Sequence, residues 1–151
     1  MSLVSELREF ASARGLLFCA DRSNAGVTRV SVYSQDKTKR YAYLLLWQPP
    51  NPIILWVMLN PGTGDTEMRR RTTLDRCKDW SEQWGYGGLL IGNVFATRAK
   101  SAKALGRPSE FFDPINNDAL HFLKERAGEV VVAWGSRARS GACAVVATVV
   151  Q

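Results

Sequence analysis

The chain has 151 residues, the size of one ordinary domain, and enough to bury a core without disulfides or metals. Its 46% apolar and 23% charged content excludes a disordered chain, and no apolar run approaches the roughly 20 residues that a membrane span needs. The formal charge of +6 favours anionic partners, nucleic acid or nucleotides, through long-range attraction and counterion release.

Residues 3–14 (LVSELREFASAR) place Leu3, Leu7 and Phe10 at helical spacing, with Gly15 as the stop. The charged and apolar groups that alternate there do not make a signal peptide, so a cytoplasmic protein is expected. Residues 27–34 (VTRVSVYS) alternate as a half-buried strand does. Residues 41–47 (YAYLLLW) form a second strand across the turn at 35–38, giving an antiparallel hairpin at a sheet edge. Pro49, Pro50 and Pro52 then break the pattern.

Residues 53–59 (IILWVML) are apolar throughout, as in a strand covered on both faces. A loop from Asn60 leads to a helix over 72–84, in which Leu74, Cys77 and Trp84 share a side with Trp80 nearby. Glycines at 85, 87 and 88 end it. A second buried strand over 89–95 (LLIGNVF), an irregular stretch over 96–114 and a helix over 115–127 follow. Pro114 stands in that helix's first turn and Gly128 closes it, before a third buried strand at 130–134 (VVVAW). Buried strands alternating with helices predict a three-layer α/β/α sandwich over 1–151, with a mainly parallel central sheet and the N-terminal hairpin.

In such sheets ligands bind beyond the carboxyl ends of the strands. Three segments leave those ends: Asn60-Pro61-Gly62-Thr63, Asn93 to Arg98, and Trp134-Gly135-Ser136. Asn60 offers two donors and an acceptor, Pro61 has no N–H, and Gly62 and Gly64 let a ligand approach the backbone. Thr63 and Asp65 add a hydroxyl and a carboxylate. The other reading of this loop is an Asx-Pro turn that satisfies only its own backbone. Asn93, inside an apolar strand, needs partners or a ligand edge, Phe95 follows it, and Arg98 can take a phosphate. Asn116, Asn117 and Asp118 stand at a helix start, where capping explains one of them and Asn117 is the candidate for contact with substrate. Trp134 and Gly135 supply a stacking face and bare backbone, and Arg69-Arg70-Arg71 is the densest basic run, a candidate nucleic-acid contact. Cys19, Cys77 and Cys143 are far apart and His121 is the one histidine, short of the about four clustered ligands of a zinc site. Neither metal nor cofactor is expected.

VMLNPGTGD, TTLDRCKDWSEQWGYGGLLIGNVFATRA, DPINNDAL and VVVAWG, in that order over residues 40–136, resemble the DUF1643 family of uncharacterised bacterial and phage proteins. More remotely, the chain is similar to uracil-DNA glycosylase-like proteins. That resemblance implies that Asn60 and Asp65 belong to a catalytic turn in which Asn60 positions water, that Asn93 reads a base, that Arg98 meets a phosphate, and that Trp134-Gly135-Ser136 is a matching turn. The implied activity is hydrolysis of an N-glycosidic bond. Both groups carry a late histidine- or asparagine-proline segment that this chain lacks. Residues 137–151 are therefore read as an atypical C-terminal segment, with three readings open: a truncated, a frame-shifted or a native variant form of that loop. The other functional classes that fit are a non-catalytic nucleic-acid binder and a protein-interaction accessory domain.

Overall fold

The Ser2 hydroxyl accepts a hydrogen bond from the Ser5 N–H and so starts α1 (Leu3–Ala13) in a computed structural model that describes residues 1–62, 72–99 and 113–135. Gly15, at φ 65°, ends the helix as the spacing predicts. Its N–H bonds Ser12 O, and the Leu16 N–H bonds Ala11 O, which satisfies carbonyls that the last turn leaves open. The same arrangement closes α2 (Thr72–Gln83), where Gly85 at φ 90° bonds Glu82 O and Tyr86 bonds Ser81 O.

Six strands follow one another as β1 (Leu17–Arg22), β2 (Thr28–Tyr33), β3 (Arg40–Leu46), β4 (Ile53–Met58), β5 (Gly88–Asn93) and β6 (Glu129–Ala133), with α2 between β4 and β5 and α3 (Pro114–Arg126) before β6. They form one sheet in the order β1-β2-β3-β5-β4-β6. Pairing is antiparallel from β1 to β5 and parallel across β5-β4-β6, so the sheet is mixed where a mainly parallel one was expected. The turns between β1, β2 and β3 are too short for a crossover, and short turns permit only antiparallel neighbours.

The predicted hairpin exists as β2 and β3, but it does not form the edge of the sheet. β1 lies outside it, tied by Asp21 to Arg29 directly across the ladder at 2.6 and 3.2 Å. Its sequence LFCADR runs apolar then polar and has no alternation to read, because only its first half is covered.

Alternate residues divide the core between two faces. Val30, Val32, Ala42, Leu44, Leu55, Val57 and Leu90 meet Leu7 and Ala11 of α1 and Leu120 and Leu123 of α3. Tyr43, Leu45, Ile54, Trp56, Leu89 and Ile91 face the other way, onto Cys77 of α2. Trp56 is buried there with its Nε1–H on Ser81 Oγ (3.0 Å), and that hydroxyl donates to Cys77 O, so the polar atoms brought in are paired. Trp80 and Trp84, 46% and 54% exposed, each stack on Trp56 at 5.9 and 5.7 Å. Burial pushes the Cys77 thiol up to about 11, which keeps it protonated and inert. Among the described residues no helix is long and apolar enough to cross a membrane.

Candidate functional site

Two connections leave adjacent parallel strands in opposite directions. The chain after β4 goes to α2 on one face, and the chain after β5 goes to α3 on the other. The carboxyl ends of β4 and β5 are therefore a topological switch point, the place where open α/β sheets hold their ligands. Asn60 and Asn93 stand at these two ends.

The segments beyond the strands remain joined. Val94 N–H bonds Met58 O at 2.8 Å, Phe95 N–H bonds Leu59 O at 2.9 Å and Ala99 N–H bonds Pro61 O at 3.0 Å. Asn60 closes the join: its Nδ2 donates to Pro61 O (3.1 Å) and to Ala99 O (3.2 Å). Both amide protons thus serve the backbone, as in the turn reading, although one acceptor belongs to the β5 segment. Phe95 is buried against Leu59, Val94 and Ala99 and fixes the pair from within. Pro61 is buried, whereas Gly62 is exposed and a Cβ there would meet nothing within 4 Å.

Asn93 is 2% exposed, and among the described residues its Oδ1 has no hydrogen-bond partner. Paired with Met58 in the parallel register, it follows Ile91 by two residues and so shares the α2-facing side of the sheet. On the opposite face Asn116 of α3 donates its Nδ2 to Asn93 O (2.8 Å) and Val94 O (3.1 Å), and its Oδ1 is likewise buried without a partner. Asn117, the residue chosen from the sequence, is half-buried beside it and bonds Asp113 O through its backbone. The sign that pointed to Asn116 was its helical spacing with Ala119, Leu120 and Leu123, all buried.

Arg98 turns toward the β2–β3 connection. Its Nη1 donates to Lys37 O (2.8 Å), its backbone N–H to Thr38 O, and its guanidinium lies 5.4 Å from the Tyr33 ring. Trp134 is half-buried against the α1–α3 core, and Gly135, exposed at φ 74°, turns the chain at the third strand end. Thr63, Asp65, Arg69, Arg70 and Arg71 lie outside the described residues, as do 100–112 and 136–151. Arg40, which the sequence reading passed over as the flank of a strand, is 4% exposed. Its backbone N–H bonds Ala96 O and its guanidinium lies 4.8 Å over the Tyr43 ring.

α3 is anchored beside these segments by Asp113. One carboxylate oxygen caps the helix by accepting from Ile115 N–H (3.0 Å), and the other accepts from Tyr41 Oη (2.7 Å) and Lys39 Nζ (3.0 Å). Burial pushes this carboxyl up, but the Tyr41 hydroxyl, Lys39 and the Ile115 N–H outweigh it and hold it below its ordinary value. A depressed carboxyl contributes stability that is present above the unfolded pKa of about 3.9 and is lost as pH falls through the folded value. Wild type is therefore expected to lose more unfolding free energy than Asp113→Asn between neutral pH and pH 3 in urea melts. Equal losses would remove Asp113 from the acid response. Among the described residues no group of three His, Cys, Asp or Glu side chains is placed to hold a metal ion.

The family described as "Protein of unknown function (DUF1643)" matches residues 40–150, which takes in the strands β3 to β6 and every segment of the switch point. No curated protein and no solved structure matches the chain.

Proposed function

The chain belongs to the DUF1643 family, and from that premise we propose that the crevice at the carboxyl ends of β4 and β5 binds a nucleobase-bearing ligand, a nucleotide or a nucleic acid. The observation that carries this reading is the buried, unpartnered Oδ1 of Asn93. Leaving a buried acceptor unsatisfied costs roughly 1–3 kcal/mol. A base supplies the missing donor through a ring N–H or exocyclic amino group, and the net charge of +6 supplies attraction to phosphate.

On the hydrolytic form of this reading Asn60 holds a water through Oδ1, since its two N–H groups are engaged with Pro61 and Ala99. Asp65 takes the water's proton as oxygen adds to the sugar C1′ and the base departs with the bonding pair. Non-catalytic binding is favoured by one observation: the Asn60 amide already acts as a clasp between two backbone segments, a role that explains it without chemistry.

Two measurements separate these forms. Fluorescence anisotropy with labelled DNA, RNA and mononucleotides is expected to show binding whose logarithm falls as salt rises. Absent or salt-insensitive binding would sink the proposal. Incubation with oligonucleotides carrying uracil or modified bases then assigns the chemistry. Free base that disappears in Asn60→Ala establishes hydrolysis, and binding with no released base establishes the non-catalytic form.

A further inference from the structure

A strand at the edge of a sheet carries a row of backbone N–H and C=O groups with no neighbour, and proteins ordinarily guard it with charged side chains, proline or a bulge. The two edges of this sheet differ in that respect. β1 ends in Ala20, Asp21 and Arg22, all exposed, with Asp21 paired to Arg29 across the ladder. β6, at the other edge, reads EVVVA, with one charge at its first residue and no proline. It pairs with β4 over all five residues without a register shift. Among the described residues nothing pairs with its outer side.

Apolar side chains are open on both faces beside that edge. Val130 and Trp134 pack toward α1 and α3, so alternation places Val132 on the same face, where it is 52% exposed. Val131 lies on the other face, in register with Trp56 of β4. Among the described residues α2 is the helix that covers this second face. Lys78, on one flank of α2, lies 5.2 Å over the Trp47 ring beyond the end of β3. Trp80 and Trp84, on the other flank, stack on Trp56 and so hang over β4, toward β6. Both indoles are half-exposed, beside Val131.

From this geometry we propose that the open edge of β6 is the seam of a homodimer, in which two copies pair their β6 strands antiparallel about a two-fold axis at Val131. The register is self-complementary. Val131 meets its own copy, Val130 meets the partner's Val132, and Glu129 meets the partner's Ala133, so no like charges stand opposed. Directly opposed residues share a face, so each exposed Val132 is covered from across the seam, and the tryptophans of both copies flank the Val131 pair. The pairing uses up this edge in both copies. The edges left over are the guarded β1 strands, so assembly stops at two. Two half-exposed tryptophans leave roughly 200 Å² per copy still to bury. With Val132 and the strand edge added, the seam falls at the small end of specific interfaces, which bury about 800 Å² per partner, and a micromolar dissociation constant follows.

The test is sedimentation velocity of the full chain from about 1 to 200 µM, a range that brackets a micromolar constant. The mass is expected to rise from 16.8 kDa to twice that value. Val132→Lys changes an exposed residue and sets a charge on the seam, so it should weaken the dimer at least about tenfold. Its urea midpoint should match that of wild type at a concentration where both are monomeric. Val132→Thr keeps the strand preference of the position and should still dimerise. If Val132→Lys does not fold, hydrogen exchange of wild type decides: the outward β6 N–H groups should be protected at the high concentration and exchange freely at the low one. A monomer at every concentration overturns the proposal, as does a dimer that Val132→Lys leaves unchanged. Protection of β6 that ignores concentration also overturns it, since a segment of the same chain then covers the edge. Growth past two copies rules out the two-fold seam.

Discussion

Asn93→Leu is expected to abolish ligand binding, by about a hundredfold or more, while raising the free energy of unfolding by about 1 kcal/mol. The two effects share one cause. Asn93 Oδ1 is buried with no partner among the described residues, a cost borne by the folded protein, and an apolar side chain of similar size removes it. The same change removes the acceptor that a base would meet. Few mutations stabilise a protein and disable it together, and a site that stores an unpaired acceptor for its ligand is one setting where they do. Thermal and urea melts read beside anisotropy check it. Should Asn93→Leu lose stability and binding in parallel, Asn93 is a structural residue and the proposed site loses its main support.

Gly87→Ala is expected to destabilise the fold by about 3 kcal/mol or more, at the upper end of overpacking effects. A Cβ at this position would lie 2.1 Å from Gln48 O and 2.7 Å from Asn51 Cβ. The first of these is backbone, held by the bonds that tie the end of β3 to the start of β5: Trp47 and Gln48 N–H both donate to Gly87 O, and Gly87 N–H donates to Pro52 O, each at 2.9 Å. Nothing there can swing aside. Gly92→Ala is the comparison, since its Cβ would meet Leu120 Cδ2 at 2.7 Å and Leu123 Cδ1 at 3.3 Å, ends of side chains that can rotate. It should cost about 1 kcal/mol. Equal midpoints for the two variants in urea would contradict the argument.

Several elements were legible because their signals are local. The 3.6-residue spacing of Leu7 and Phe10 and the glycine at position 15 defined α1, and the left-handed turn at Gly15 follows from chemistry that few other residues can supply. Unbroken apolar runs marked β4 and β5, since a strand buried on both faces has no polar side to alternate. β1 was not legible. Only its first half, Leu17 to Cys19, is partly covered, with Arg8 of α1 over the Phe18 ring, and no window of LFCADR contains that neighbour.

The site divides in the same way. The polar residues after apolar strands, Asn60 and Asn93, were found from sequence because a polar group at the end of a buried strand needs an explanation. Arg40 was missed because a charged residue at the head of a strand ordinarily lies in solvent, and only the bulge at Tyr41 turns it inward. Asn116 was placed among capping residues, whereas its reach to the carbonyls of Asn93 and Val94 depends on α3 crossing the end of β5.

By itself the sequence determined one α/β domain's worth of helices and strands, the family, the positive charge, and the polar turns at the strand ends, all of which arise from residue type and short-range periodicity. The tertiary structure alone decided that the sheet is mixed, that β4 and β5 send their connections to opposite faces, and that an arginine and an asparagine 53 residues apart in sequence share one side of the sheet. Strand order, register and bulges are set by contacts between segments far apart in the chain, and no local pattern carries them.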